Sequence, residues 1–186
     1  MKIRALFKKY WGYILAFVSS LVVISILFYL QGVAPFGGKS LLTIDFFHQY
    51  GPMLGELFDR IKSHSSLLYS FNMGMGLPFY RNFFNYLSSP FNILMLLFNH
   101  KELLTSFSVI VLVKLCFSTF FMYMFLKKKV GLSNVLTVCL SLLYSFSAYF
   151  VAYYWNIMWL DGMVFLPLIV YGLERMLIQR KPLVYV

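Results

Sequence analysis

The uncharged stretch WGYILAFVSSLVVISILFYL, residues 11–30, decides the fold class of this chain. Twenty residues of α-helix rise about 30 Å, which matches the hydrocarbon thickness of a bilayer. Four basic residues precede the stretch: Lys2, Arg4, Lys8 and Lys9. A secretory signal peptide also begins with positive charge, but its apolar region is shorter, and no small-residue cleavage site follows here. We therefore predict a membrane-spanning anchor over residues 11–31.

The composition of the whole chain supports a membrane protein. Of its 186 residues, 61% are hydrophobic and 12% are charged, and the mean hydropathy is +0.77. A soluble domain carries about 25% charged residues, so that class is excluded. The aromatic content of 20% excludes a disordered chain. Only two cysteines are present, both in apolar runs, which excludes a disulfide scaffold.

Further apolar runs predict about four spans in an all-α transmembrane bundle. The second run is interrupted only by Lys114 and ends in three lysines. The uncharged stretch after these lysines is too long for one helix and too short for two complete ones. We divide it at a turn around Trp155 and Asn156, and we place a helix on each side of that turn. The predicted later spans are residues 103–126, 133–153 and 157–176.

A long external loop over residues 32–102 is predicted between the first two spans. Within it, residues 90–98 are apolar but too short to cross the bilayer. We interpret residues 83–98 as a re-entrant or interfacial helix. Residues 53–61 are amphipathic, which predicts a helix that lies flat on the membrane. At the other end, a new apolar run begins after Lys181, and we expect the chain to continue beyond Val186.

The distribution of basic residues sets the orientation. With the N-terminus inside, ten basic residues and one acidic residue lie on the cytoplasmic side. Five basic and five acidic residues then lie outside, and Lys114 within the membrane completes the net charge of +10. This is the positive-inside pattern. Because topology accounts for the whole excess, we expect a multi-pass protein with a cytoplasmic N-terminus and no nucleic-acid partner.

The start of the external loop contains candidate site residues. On an α-helix, Asp45, His48 and Gln49 would share one face through their i, i+3 and i+4 spacing. The alternative is that Asp45 only caps an interfacial helix. Further along, Asn72 to Pro78 contains Gly-x-Gly without a preceding strand, so a tight turn is favoured over a phosphate loop. Arg81, just beyond, could pair with a phosphate or be merely solvated.

Two ionisable residues fall within predicted spans. Asp161 lies about five residues into the fourth span, and Lys114 lies near the middle of the second. Such residues usually face the bundle interior or a wet cavity. A structural ion pair and snorkelling to the interface are the alternatives. The central position of Lys114 favours a cavity.

Several short pieces make the chain resemble the N-terminal part of the bacterial YfhO family, which has the general plan of GT-C glycosyltransferases. The family's chains are much longer than this one. The matching pieces are Asp45-Phe46-Phe47-His48-Gln49-Tyr50, Gly74-Met75-Gly76, Ser89-Pro90-Phe91-Asn92, Lys114, Tyr144-Ser145, Asn156-Ile157-Met158-Trp159-Leu160-Asp161 and Leu166-Pro167.

The resemblance implies a function and a site. It implies transfer of a sugar from a polyprenyl-phosphate-linked donor to an envelope polymer such as lipoteichoic acid, on the outer face of the bacterial cell membrane. Asp45 and Asp161 take the positions of the two acidic sites, and a divalent metal between them is left open. A carboxylate such as Asp45 can act as general base on the acceptor hydroxyl. Substrate contacts are expected from His48, Gln49, Tyr50, Arg81 and Lys114.

Two other function classes remain open. One is a transporter or flippase for a lipid-linked precursor that uses Lys114 and Asp161 as a midplane site. Such a protein often shows inverted repeats and broken helices, and neither is visible in the sequence. The other class is a non-catalytic membrane scaffold. The large external loop with interfacial helices favours the enzyme.

Overall fold

A computed structural model describes residues 2–180, and the side chains of these residues other than residues 2–9 and Gln179. The expected apolar run at the C-terminus lies outside the described residues. The described part is all-α and contains no strand, only two isolated bridges, Val33 with Lys39 and Ser70 with Leu77. The helices are α1 Lys2–Gln31, α2 Gly51–Lys62, α3 Phe79–Asn82, α4 Leu103–Lys129, α5 Asn134–Ser145, α6 Ala148–Ala152 and α7 Leu160–Gln179.

Three helical segments in the described residues are long and apolar enough to cross a membrane, and they are Tyr10–Gln31, His100–Lys129 and Asn134–Ala152. They match the first three predicted spans. The fourth, α7, carries Asp161, Glu174 and Arg175 and is not among them. An all-α membrane protein is therefore confirmed, while the fourth span stays a prediction.

The chain divides into two compact units. The first, here the bundle unit, consists of residues 112–154 with the described parts of residues 1–27 and 159–186. The second, here the loop unit, consists of residues 28–111 and 155–158. The predicted external loop lies entirely within the loop unit.

The bundle unit packs around Ala16, Tyr123 and Val138. The ring of Tyr13 meets Tyr123 edge-on at 5.0 Å between centroids, and the Tyr123 phenol donates to Asn134 Oδ1 at 3.1 Å. Gly12 allows this approach, because a Cβ there would lie 1.9 Å from the Tyr123 oxygen. Fully buried hydroxyl residues on three helices add the close contacts typical of membrane bundles, namely Ser20, Ser118, Thr119, Thr137, Ser141 and Ser145.

The predicted helix over residues 133–153 is interrupted at Phe146 and Ser147, between α5 and α6. The next helix begins later than predicted, because residues 153–159 form an extended set of turns rather than a short one. As a result α7 begins at Leu160, and Asp161 lies in its first turn. The expectation that Asp161 sits five residues into the helix is therefore wrong.

The loop unit consists of short helical pieces. Helix α2 is amphipathic as predicted, with Leu54, Leu57 and Phe58 buried and Asp59 exposed. Two five-residue π-helical turns occur, Phe46–Tyr50 and Phe83–Leu87. The predicted helix over residues 83–98 is split at Ser88 and Ser89, and its second part, Pro90–Leu97, is a 3₁₀-helix. Lys62 Nζ donates to the Leu96 carbonyl at 2.9 Å, so a carbonyl at the C-terminal end of this 3₁₀-helix has a donor.

Candidate functional site

Asp45 directly precedes the first π-helical turn, in the N-cap position, but its side chain makes no capping hydrogen bond. Its backbone is already helical, whereas a capping residue normally has non-helical angles. The alternative that Asp45 serves as a helix cap therefore lacks its defining contact. Ile44, just before it, has φ +47°, a strained conformation for a β-branched residue. Strained residues of this kind cluster at functional sites.

Tyr50 closes the same π-helical turn and is 3% exposed. Its phenol donates to Asn156 Oδ1 at 3.3 Å, and its ring lies 6.1 Å from that of Tyr86. Burial, then the charge of Asp45 and the neighbouring Tyr86, raise the pKa of the Tyr50 phenol. The phenol therefore stays protonated and keeps its role as donor at neutral pH.

His48 and Gln49, in the middle of this turn, line a cavity of about 350 Å³. Asp45 is not among its lining residues, so of the three residues expected on one face the structure brings only His48 and Gln49 to this cavity. A π-helical turn has a longer period than the α-helix, which alters that spacing. The complete lining is His48, Gln49, Pro52, Met53, Met73, Gly74, Leu77, Asn82 and Tyr86.

Arg81 lines a second cavity, of about 180 Å³, in the same unit. Its other lining residues are Leu77, Pro78, Asn82, Asn85 and Tyr86. Leu77, Asn82 and Tyr86 therefore border both cavities, and we call the two together the loop-unit cleft. The structure thus brings three of the predicted substrate residues, His48, Gln49 and Arg81, to one cleft.

Residues 72–78, which form one edge of this cleft, adopt the predicted tight turn. Gly74, Met75 and Gly76 all have positive φ. At Gly76 a Cβ would also lie 2.4 Å from the Tyr69 oxygen, so any larger residue would displace the Tyr69 ring. The Asn82 amide donates to Met73 Sδ at 3.2 Å and links the turn to α3.

Glu56 on α2 holds the segment that leads into this turn. Its Oε1 accepts hydrogen bonds from Arg60 Nε at 2.8 Å and from the Ser70 hydroxyl. Arg60 also donates to the Ser66 carbonyl, and its guanidinium lies 4.8 Å from the centroid of the Phe79 ring. These contacts position the turn over the helix that carries Pro52 and Met53.

Lys114 and Asp161 form an ion pair in the bundle unit. Lys114 is fully buried, and its Nζ lies 2.9 Å from Asp161 Oδ1, while the Asp161 side chain is 21% exposed. Of the alternatives for Lys114, the geometry corresponds to the ion pair and not to snorkelling. Asp161 lies at the N-terminus of α7, where the helix dipole also favours a carboxylate.

The bundle unit contains a second pairing, between pieces that carry the family resemblance. Pro167 has no N–H, so it cannot bond the Met163 carbonyl four residues earlier. The Tyr144 phenol of α5 donates to that carbonyl at 2.8 Å. The adjacent Ser145 hydroxyl donates to Ser118 on α4 at 3.2 Å. Tyr144 thus supplies the Met163 carbonyl with the donor that Pro167 cannot provide.

Asp45 belongs to the loop unit and Asp161 to the bundle unit, so a site that includes both carboxylates stays a prediction. Among residues 2–180, no three side chains of His, Cys, Asp or Glu come together in a group that could hold a metal. No sequence pattern marked Asn82, Asn85, Tyr86 or Asn156 as site residues, because only the fold brings the first three to the cleft and Asn156 to Tyr50.

Comparison with known proteins supplies a family. A family model described as "Bacterial membrane protein YfhO" matches residues 16–186. No curated protein matches the chain, and no solved structure does.

Proposed function

This chain belongs to the YfhO family of bacterial membrane proteins, and from that premise we propose that it is the N-terminal part of a membrane glycosyltransferase of the GT-C type. The donor is a polyprenyl-phosphate-linked sugar, and the acceptor is an envelope polymer such as lipoteichoic acid. Transfer takes place on the outer face, with the N-terminus of the chain in the cytoplasm.

The observation that carries the proposal is the local environment of the Asp45 side chain. Its side chain is half-buried and makes no capping bond, and it follows a strained residue at the start of a π-helical turn. A helix cap would need none of this strain. Two residues of the same turn, His48 and Gln49, line the loop-unit cleft, so the turn that follows Asp45 contributes to a surface suited to a small ligand.

The chemistry follows from these groups. Asp45 removes the proton from an acceptor hydroxyl as its oxygen attacks the anomeric carbon. The bond between that carbon and the lipid phosphate breaks, and the electron pair leaves with the phosphate. Arg81 and His48, which line the loop-unit cleft, are the candidates to stabilise this charge, while Lys114 is engaged with Asp161. A single displacement of this kind inverts the anomeric centre.

The test is Asp45→Asn in the full-length protein. Asparagine keeps size and polarity but cannot accept the proton, so we expect sugar transfer to fall by about 10²–10⁴-fold. The readout is glycosylation of the envelope polymer in cells at matched protein level. Asp59→Asn, an exposed carboxylate on α2, is the matched control and should leave transfer unchanged. Wild-type glycosylation with Asp45→Asn would refute the proposed base.

A transporter for the lipid-linked precursor is the second candidate, favoured by the buried Lys114–Asp161 pair. The two candidates are separated in proteoliposomes loaded with a lipid-linked sugar. A glycosyltransferase forms product when lipid and acceptor are on the same face. A transporter instead moves the unmodified lipid to the other leaflet, without an acceptor.

A further inference from the structure

Two π-helical turns contribute to the lining of the loop-unit cleft. Phe46–Tyr50 supplies His48 and Gln49, and Phe83–Leu87 supplies Asn85 and Tyr86. Such turns are rare and are found frequently at functional sites. Two of them at one cleft, with the rings of Tyr50 and Tyr86 6.1 Å apart, indicate a binding site.

The side chains of the cleft match a hydroxyl-rich ligand. Gln49, Asn82 and Asn85 are amides, and each amide group presents both donors and an acceptor. Sugar hydroxyls also donate and accept hydrogen bonds, so an amide can bond a hydroxyl either as donor or as acceptor. Asn82 uses one N–H on Met73, which leaves its carbonyl and a second N–H for a ligand. The half-buried ring of Tyr86 offers a flat apolar surface to the C–H face of a pyranose.

The two cavities differ in size and charge. The larger, about 350 Å³, is near the lower end of the roughly 300–1,000 Å³ typical of small-ligand sites, which suits one sugar residue. The smaller, about 180 Å³, has the exposed guanidinium of Arg81 on its lining. Arginine is well suited to phosphate, because its planar donors pair with two oxygens at once.

We infer that the loop-unit cleft binds a single sugar 1-phosphate unit, with the pyranose between Gln49, Asn82 and Tyr86 and the phosphate at Arg81. The inference rests on the proposed function for the presence of a glycosyl phosphate at this surface. It adds Asn82, Asn85 and Tyr86 as binding residues and assigns Arg81 to the phosphate of the donor.

Isothermal titration calorimetry on the purified protein in detergent tests this inference. The probes are glucose 1-phosphate, galactose 1-phosphate, N-acetylglucosamine 1-phosphate and inorganic phosphate. We expect at least one sugar phosphate to bind more tightly than inorganic phosphate. Tyr86→Ala and Gln49→Ala should weaken the sugar phosphate by about two- to tenfold and leave inorganic phosphate unchanged, while Arg81→Gln should weaken both by at least tenfold.

Matched controls lie outside the cleft. Tyr80→Ala is an exposed tyrosine on α3, and Lys101→Gln is an exposed cation in the same unit; both should bind like the wild type. Circular dichroism checks that each variant folds. If Tyr86→Ala does not fold, the variants at the half-buried Gln49 and the exposed Arg81 test the inference without it. Absence of sugar phosphate binding, equal affinity for inorganic phosphate, or indifference to the cleft variants would overturn the inference.

The outcome is independent of the test for the proposed base. Sugar phosphate binding together with normal transfer by Asp45→Asn would contradict the catalytic role of Asp45 and still support the inference about the cleft. Transfer that depends on Asp45, with no sugar phosphate binding in the cleft, would support the proposed glycosyltransferase and contradict the inference about the cleft.

Discussion

Lys114 is the residue whose environment most restricts its role. A fully buried ammonium is expensive in a low-dielectric surrounding unless a counter-charge is at hand, and Asp161 provides one at 2.9 Å. The sequence identified both residues as ionisable groups within spans. It offered a structural ion pair only as an alternative, because 47 positions separate the two residues and the start of α7 was placed too early. Ion pairs between distant segments have no local signature.

The pair predicts a double-variant result. Lys114→Met or Asp161→Leu alone leaves one buried charge without its partner, and each should destabilise the protein by about 3–5 kcal/mol. The double variant removes both charges and should recover most of that loss. Thermal unfolding of the purified variants in detergent measures this. Additive losses in the double variant would contradict a coupled pair, and transfer activity of a stable double variant would exclude Lys114 from the chemistry.

At the scale of elements, helix α7 depends on its neighbour. Pro167 leaves the Met163 carbonyl without an N–H, and Tyr144 on α5 supplies the missing donor. The sequence shows Pro167 plainly but cannot show which distant side chain compensates for it. The π-helical turns at residues 46–50 and 83–87 are similar, since their residue types do not differ from those of an amphipathic α-helix and only the fold reveals the wider turn.

We predict that Tyr144→Phe destabilises the protein by about 1–3 kcal/mol, because the partly buried Met163 carbonyl then loses its donor. Pro167→Ala restores an N–H that can bond Met163 within the helix. In the Pro167→Ala variant, Tyr144→Phe should therefore reduce the free energy of unfolding by clearly less. The cycle of four proteins is compared by thermal unfolding in detergent. An equal loss on both backgrounds would mean that Tyr144 contributes through packing alone.

At the scale of the whole molecule, hydropathy was sufficient to predict an all-α membrane protein with its first three apolar helices, and the family resemblance is confirmed. The lengths of uncharged runs carry that information directly, as residues 11–31 and 103–126 show. The candidate site was predicted only in part. His48, Gln49 and Arg81 meet at one cleft, whereas a common site for Asp45 and Asp161 stays a prediction.

Topology is tested by cysteine labelling of intact cells. Ser65→Cys and Lys128→Cys are made singly in a chain whose Cys116 and Cys139 are replaced by serine. The positive-inside pattern predicts that a membrane-impermeant maleimide labels position 65 in intact cells and position 128 only after permeabilisation. Labelling of position 128 from outside, or protection of position 65, would contradict the proposed orientation.

The two bonds that α7 receives from α4 and α5 have a consequence for biogenesis. A newly made α7 carries a carboxylate at Asp161 and a bare carbonyl at Met163, both costly in lipid. Their partners, Lys114 and Tyr144, are encoded earlier and leave the ribosome first. If α7 is the fourth span that the sequence predicts, these two groups therefore find their partners on helices that are already synthesised, and this part of the bundle assembles in the order of translation.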